Sequence, residues 1–232
     1  MRIWDIQPGY LNSRSLLGEH RELHAIVSII VNCKKGYARH PETMRWRGHQ
    51  WALMQRHRIL AEEMDLRGYR EKSPVCLPTG AGPWPDGYLD TPDQQFDILA
   101  RKYQNTSQGR IALPRTTQQL WSSHKYSVLA RDPGAYSDIG KKASRWKGRQ
   151  NFADLACRLT EITRCPPSAG CIRNTLQHMW GHVSDYYDFG ESPPVSEWSL
   201  VRLLQETRRL ACKKSESFLI SSTALSELGA WL

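Results

Sequence analysis

Apolar residues recur at intervals of three and four along most of this chain, and strict alternation never lasts more than a few positions. Leu16, Leu17, Leu23, Ile26, Val27 and Ile30 form one stripe, predicting a helix from about Leu16 to Asn32 with Ser13 or Ser15 as its cap. Gly18, Arg21, Glu22 and Ala25 fall on a different face of that helix. After the loop KKGYARHP, the spacing of Leu53, Met54, His57, Leu60, Ala61 and Met64 predicts a second helix. It begins after Pro41 or near Trp46, runs to Arg67 and is stopped by Gly68. Residues 73–95 are rich in proline and glycine and have almost no periodicity, which reads as a linker or long surface loop. A short helix from Phe96 to Tyr103 follows.

The second half predicts helices throughout. One starts at Thr116 or Thr117 and includes LWSSHKYSVLA; Asp132-Pro133 opens another through Tyr136 and Ile139; Phe152 to Ile162 is a third. Pro166-Pro167 interrupts before a helix from Ala169 to Tyr187. Pro193-Pro194 breaks the chain again before helices from Trp198 to Leu210 and from Ser217 to Leu228. The expected architecture is all-α: a helical module of residues 1–72, a linker of 73–110, and a multi-helix domain of 111–232 packed with the first.

Composition narrows the classes. A chain of 232 residues, 40% hydrophobic, can bury a sizeable core, and its nine Trp, nine Tyr and four Phe exclude wholesale disorder. The longest greasy stretch, Ala25 to Val31, still contains Ser28, so no transmembrane helix is predicted. The N-terminus lacks an apolar signal core, and the expected location is the cytoplasm, with the nucleoid if the source is prokaryotic. The six cysteines make no CxxC; Cys165 and Cys171 are the nearest to a pair, and free thiols are the plain reading in a reducing compartment, with a redox or metal role left open. The net charge of +9 is unevenly placed: +5 over residues 1–72, −1 over 73–110 and +5 over 111–232. Two basic blocks favour encounter with an anionic partner such as a phosphate backbone.

No P-loop, GxGxxG, HExxH or GxSxG occurs. His20 and His24 are one helical turn apart, as are His178 and His182, but neither pair has a third carboxylate or thiol close by in sequence. Two ligands do not make a zinc site, and no metal is expected.

The segments MRIWDIQPGYL, LLGEHREL, GYARHPETMRWRG and LRGYR resemble the pyrimidine-dimer DNA glycosylases of the phage endonuclease V type. The resemblance covers about residues 1–72. It implies a small helical enzyme that excises ultraviolet photoproducts from damaged duplex DNA and cleaves the abasic site, with no metal or organic cofactor. It implies that the α-amino group of Met1 attacks the sugar C1′, that Glu22 handles the cationic iminium and the sugar protons, and that Arg2 and Arg21 hold phosphates. An α-amino group has a reference pKa of about 8 against about 10.4 for lysine, so more of it is neutral and nucleophilic at physiological pH. The bulky Arg2 disfavours removal of Met1, because the processing aminopeptidase prefers small second residues. Ala25 stands where the phage enzymes carry a further arginine, which separates the lesion question from the lyase chemistry. Arg45 and Arg47 are further DNA-binding candidates. Trp4, Tyr37 and Trp46 are candidates for wedging or stacking against displaced bases, with a core role as the competing assignment.

LWSSHKYSVLARDPGAYSDIG, NTLQHMWGHVSDYY and PPVSEWSLVRLL resemble the helical YbgA-type domain over about residues 110–232. This resemblance implies no specific chemistry. His124, Lys125, Asn174, His178 and His182 are the polar residues of interest, either as caps and helix-to-helix hydrogen bonds or as part of an extended DNA surface. A non-catalytic nucleic-acid-binding module, or an enzyme for a different damaged base, stays open beside the dimer glycosylase.

Overall fold

The structure is a computed structural model, and it describes residues 1–77, 80–188, 190 and 193–232. Among the described residues there are eleven α-helices and no strand. None of the helices is long and apolar enough to cross a membrane. The chain opens with an extended segment and a 3-10 turn at Pro8–Tyr10. It continues with α1 (Ser13–Val31), α2 (Pro41–Trp46), α3 (Gln50–Leu66), α4 (Pro92–Lys102), α5 (Thr117–Leu129) and α6 (Pro133–Ala143). There follow α7 (Phe152–Arg164), α8 (Ala169–Trp180), α9 (Leu200–Lys214), α10 (Ser217–Ile220) and α11 (Ala224–Glu227), closed by a 3-10 turn at Leu228–Trp231.

Local chemistry sets most of these boundaries. Asn12, rather than Ser13 or Ser15, caps α1 by accepting from the Ser15 amide at 2.9 Å. Thr91 with Gln94 and Thr116 with Gln119 form capping boxes at the starts of α4 and α5. The single helix expected from Pro41 or Trp46 to Arg67 is two helices, because Arg47 is extended and Gly48 takes φ +81°, a conformation no helix tolerates. The helix expected through Tyr187 stops at Gly181, where a 3-10 turn takes over at Ser184–Tyr186. The last expected helix is broken at Ser222-Thr223. There the Thr223 amide donates to the Ser123 carbonyl at 2.9 Å and its hydroxyl meets Ser127 Oγ at 2.8 Å, so bonds to α5 outweigh helix continuity.

Two apolar cores lie on either side of α5. The first joins Ile3, Trp4, Leu16, Leu23, Trp46 and Leu60 to Phe96, Leu120, Val128, Ile139, Phe152 and Leu159. The second gathers Tyr126, Leu129, Leu176, Trp180, Trp198, Leu204 and Leu225. The expected boundaries at 72 and 110 therefore fall inside a region whose core is continuous across them. The short helix expected from Phe96 to Tyr103 is α4, which starts earlier at Pro92 and packs on α7, while positions 78 and 79 of the expected linker lie outside the described residues. Ion pairs fasten the C-terminal helices to the rest. Arg131 forks onto Glu227 with two contacts of 2.9 Å, and Arg110 bridges Glu63 of α3 to the Ser222 carbonyl at 3.2 Å.

Candidate functional site

The extended segment of residues 1–6 runs antiparallel along α1, and side chains satisfy its amides in place of a partner strand. The Arg2 amide donates to Glu22 Oε2, and the Trp4 amide donates to Glu19 Oε1 at 3.1 Å. Residues three apart on a helix have Cβ atoms about 5–6 Å apart, and residues two apart on an extended chain are separated by about 6.6 Å, so two rungs match in register. Gln95 of α4 continues the pattern by accepting from the Asp5 amide at 2.8 Å and the Ile6 amide at 3.4 Å.

A layer of buried charge lies behind the segment. Arg56 of α3 forks onto Glu19 at 2.8 and 3.0 Å and donates to the Ile6 carbonyl at 3.0 Å. Burial pushes the Glu19 carboxyl up to about 7, against the pull of Arg56 and of the Trp4 amide. Asp5 takes Arg45, Arg164 at 2.6 Å and the Gln95 amide at 2.8 Å. Side chains thus anchor the terminus through four backbone amides, those of Arg2, Trp4, Asp5 and Ile6.

This arrangement brings together Met1, Arg2 and Glu22, all half-buried, while Arg21 and Ala25 are exposed on the same helix. The Glu22 carboxylate sits one residue from the Met1 α-amino group. The Arg2 guanidinium lies over the Trp4 ring at 4.8 Å and pairs with Asp90 at 2.7 Å. A carboxylate, an amine and a guanidinium on one edge can together attack an electrophilic carbon, move a proton and hold an anion.

Residues 1–76 match the family model of the pyrimidine dimer DNA glycosylases. The matched segment covers about a third of the chain, from Met1 through α3 to just beyond Val75. No curated protein and no solved structure matches the chain.

Within the matched segment, several expected DNA contacts are turned inward. Arg45 is not free for phosphate: its side chain is 7% exposed and is held between Asp5 at 2.9 Å and Glu42 at 2.7 Å. Trp46 is fully buried and donates its indole N–H to Glu42 at 2.9 Å. Trp4 is buried as well, so both tryptophans serve the core rather than wedging into DNA. Arg47 is exposed and donates to the Ala38 carbonyl at 3.0 Å. Tyr37 is 71% exposed at φ +57° in a loop that also presents Lys34, Lys35 and Arg39.

The matched segment holds a second polar constellation. His20 and His24 of α1, His57 of α3 and Glu71 beyond α3 offer ligand atoms that all lie within 4.8 Å of one another. His20 Nε2 is 3.2 Å from His57 Nε2 and 3.3 Å from His24 Nε2, and it also contacts Glu71 Oε2. Burial pulls His57 down to about 4, with His20, His24 and Arg58 adding to the effect and Glu71 opposing it. Glu71 is held below its ordinary value although burial works the other way, because the Ser73 amide and His20 outweigh it. The i, i+4 pair His20 and His24 thus gains His57 and Glu71 through packing, neither of them close to it in sequence.

The C-terminal polar residues do not form one cluster. His124 is buried in contact with the Leu120 carbonyl at 2.9 Å and the Tyr10 hydroxyl at 3.3 Å, and burial pulls its imidazole down to about 4. Lys125 lies over the Phe218 ring at 4.1 Å, and desolvation lowers its pKa. His182 meets the Tyr126 hydroxyl at 2.8 Å and stacks on Phe218. Asn174 and His178 are exposed on α8. All six cysteines are free, Cys165 exposed and Cys171 half-buried. Glu19, Arg56, Asp5, Gln95, His57 and Glu71 are the residues that reading the sequence did not assign. Only Glu19, one turn before Glu22 on the same helix, carried a local signal.

Proposed function

We propose that the chain is a DNA-repair glycosylase acting on ultraviolet pyrimidine dimers in duplex DNA, and that it cleaves the abasic site through a Schiff base on the Met1 α-amino group. The observation that carries this reading is the Glu22 carboxylate held at the Arg2 amide within the segment that matches the glycosylase family. The neutral amine attacks C1′; the N–C1′ bond forms as the glycosidic bond breaks, and the departing base takes a proton. Loss of the amine proton and opening of the sugar ring give an iminium. Its charge acidifies C2′, a C2′ proton leaves, and the C3′–O bond breaks by β-elimination; water then releases the amine.

Glu22 stabilises the cation and carries the protons. Arg2 and Arg21 hold the flanking phosphates, with Arg2 exchanging Asp90 for a phosphate oxygen. Arg47 and the basic loop around Tyr37 extend the DNA face, and Tyr37 is the one expected stacking residue exposed to meet an unstacked base. The test is borohydride trapping with two duplexes, one carrying an abasic site and one a cyclobutane thymine dimer. A reduced adduct mapped to Met1 with both duplexes supports the reading in full. An adduct with the abasic duplex alone removes the dimer glycosylase activity and leaves the lyase. Attachment at a lysine, or binding without any adduct, overturns the N-terminal mechanism.

A further inference from the structure

We propose that His20, His24, His57 and Glu71 bind one divalent transition-metal ion, with zinc the best fit to three imidazoles and one carboxylate. The proposal stands on the geometry of this cluster and is independent of the glycosylase reading.

The ligands come from three places that the fold forces together. His20 and His24 share one face of α1, His57 lies on α3, which packs against α1, and Glu71 follows the turn at Gly68, where φ is +79°. With metal bonds of about 2.0–2.1 Å, the edges of a ligand tetrahedron measure about 3.3–3.4 Å. Three of the six separations match these edges, 3.2 Å between His20 and His57, 3.3 Å between His20 and His24, and 3.4 Å between His57 and Glu71; His20 and Glu71 lie closer, and all four ligand atoms fall within 4.8 Å of one another.

Hydrogen bonding alone does not account for this arrangement. His20 Nε2 faces His24 Nε2, His57 Nε2 and Glu71 Oε2 at once. A ring nitrogen carries either one proton or one lone pair, so it can make one of these contacts well. Tautomers that leave two Nε2 lone pairs facing each other repel, and protonating more than one ring sets cations side by side. A single central cation turns every one of these contacts into an attraction. Three neutral imidazoles and one carboxylate leave a bound dication with a net charge of +1, a tolerable value at a partly exposed site. Imidazole nitrogen with carboxylate oxygen suits zinc and its first-row neighbours rather than calcium or magnesium. A groove of about 700 Å³, lined by His57, Glu71, Arg58 and Pro74, gives an ion a route in.

Four protein ligands make the site a clamp rather than a catalytic centre. Glu22 lies between His20 and His24 in sequence, on the other side of the same turn. A bound ion would therefore fix the stretch of α1 that presents Glu22, and it would fasten the chain beyond α3 to it.

The full-length protein, stripped with a chelator and then dialysed, is titrated with Zn²⁺ and separately with Co²⁺. About one equivalent of zinc should bind, and the melting temperature should rise by about 5 °C or more at saturation. Bound cobalt should show intense tetrahedral d–d bands without thiolate charge transfer. His24→Gln and Glu71→Gln alter half-buried positions and should keep the helical circular dichroism of the stripped parent. Each should lose zinc affinity by more than about 100-fold, beyond the effect of removing a residue that only supports a ligand. Thiolate bands on cobalt binding, zinc stabilisation unchanged in both variants, or no binding by the stripped folded parent would each overturn the proposal.

Discussion

Glu22 of α1 accepts the backbone N–H of Arg2, the outermost of the side-chain bonds that hold the N-terminal segment along the helix. A helix side chain satisfying the second amide of the chain leaves the first residue no room to wander, so the carboxylate and the α-amine share one small volume. Proximity of this kind replaces a search in solution with a held geometry. Arg21, the preceding residue, points outward, so the adjacent pair divides its work between the solvent face and the terminus.

Glu22→Gln keeps an acceptor for the Arg2 amide while removing the negative charge. On the proposed mechanism, single-turnover cleavage of abasic and dimer-containing duplexes falls by about 10²–10⁴. DNA affinity and melting temperature stay close to the parent, since the latch is preserved. A folded variant that cuts at the parent rate takes Glu22 out of the chemistry.

Arg45 and Arg47, two residues apart, separate stability from binding. Arg45→Met leaves the buried Glu42 without a cation and Asp5 with Arg164 alone, and should destabilise the protein by about 3–5 kcal/mol. Arg47→Ala, at an exposed position, should change stability by no more than about 0.5 kcal/mol. It should also lower the slope of log affinity against log salt by about one contact, or about 0.9. Urea titrations and salt-dependent DNA binding on both variants check the contrast; an Arg45 variant that is stable and binds weakly would reverse it.

What the sequence disclosed follows the range of each interaction. The stripe Leu16, Leu23 and Ile26 predicts α1 because helical periodicity is local, and the Asp132-Pro133 and Thr116 starts were legible for the same reason. Glu22 enters through the resemblance, while Glu19 has only its place one turn earlier as a local signal, its role as a buried carboxylate depending on Arg56 of α3. Arg45 reads as a DNA contact by residue type and Trp46 as either core or wedge; their burial depends on Glu42 and Asp5, which the pattern could not bring together. The His20 and His24 pair was visible, but His57 and Glu71 join it through the packing of α3 on α1. Gln95 holds the N-terminal segment from α4, inside a stretch that reads as a linker, and nothing nearby in sequence points to it.

His124 gives the fold a readable pH signature. Its imidazole is buried and pulled from 6.5 down to about 4, so between these values the unfolded chain binds a proton that the folded one refuses. Stability is therefore full above about pH 6.5 and is lost as the pH falls to about 4, by about 3 kcal/mol for this residue. His124→Asn cannot titrate. Urea unfolding of parent and variant across this window should show their difference in stability shrinking by that amount as the pH drops. A difference that stays constant with pH would mean that His124 titrates alike in both states.

The Glu19–Arg56 pair makes a separate prediction, about whether buried charge here serves the fold or the terminus. Glu19→Gln leaves the Arg56 guanidinium buried without its counter-charge, with an expected loss of about 3–5 kcal/mol. Replacing both, as Glu19→Met with Arg56→Met, removes the stranded cation and should restore most of that stability, because apolar groups of similar volume often substitute for a buried pair at little cost. It should not restore the anchoring. Arg56 also donates to the Ile6 carbonyl, and Glu19 accepts the Trp4 amide, so the double variant holds residues 1–6 less firmly at a recovered melting temperature. Hydrogen exchange at the Arg2 and Trp4 amides should be faster than in the parent, and single-turnover cleavage should be slower, even where the two proteins are equally stable. If the double variant regains stability, amide protection and cleavage together, the pair serves packing alone, and the register of the terminus is set by Glu22 and Gln95 without it.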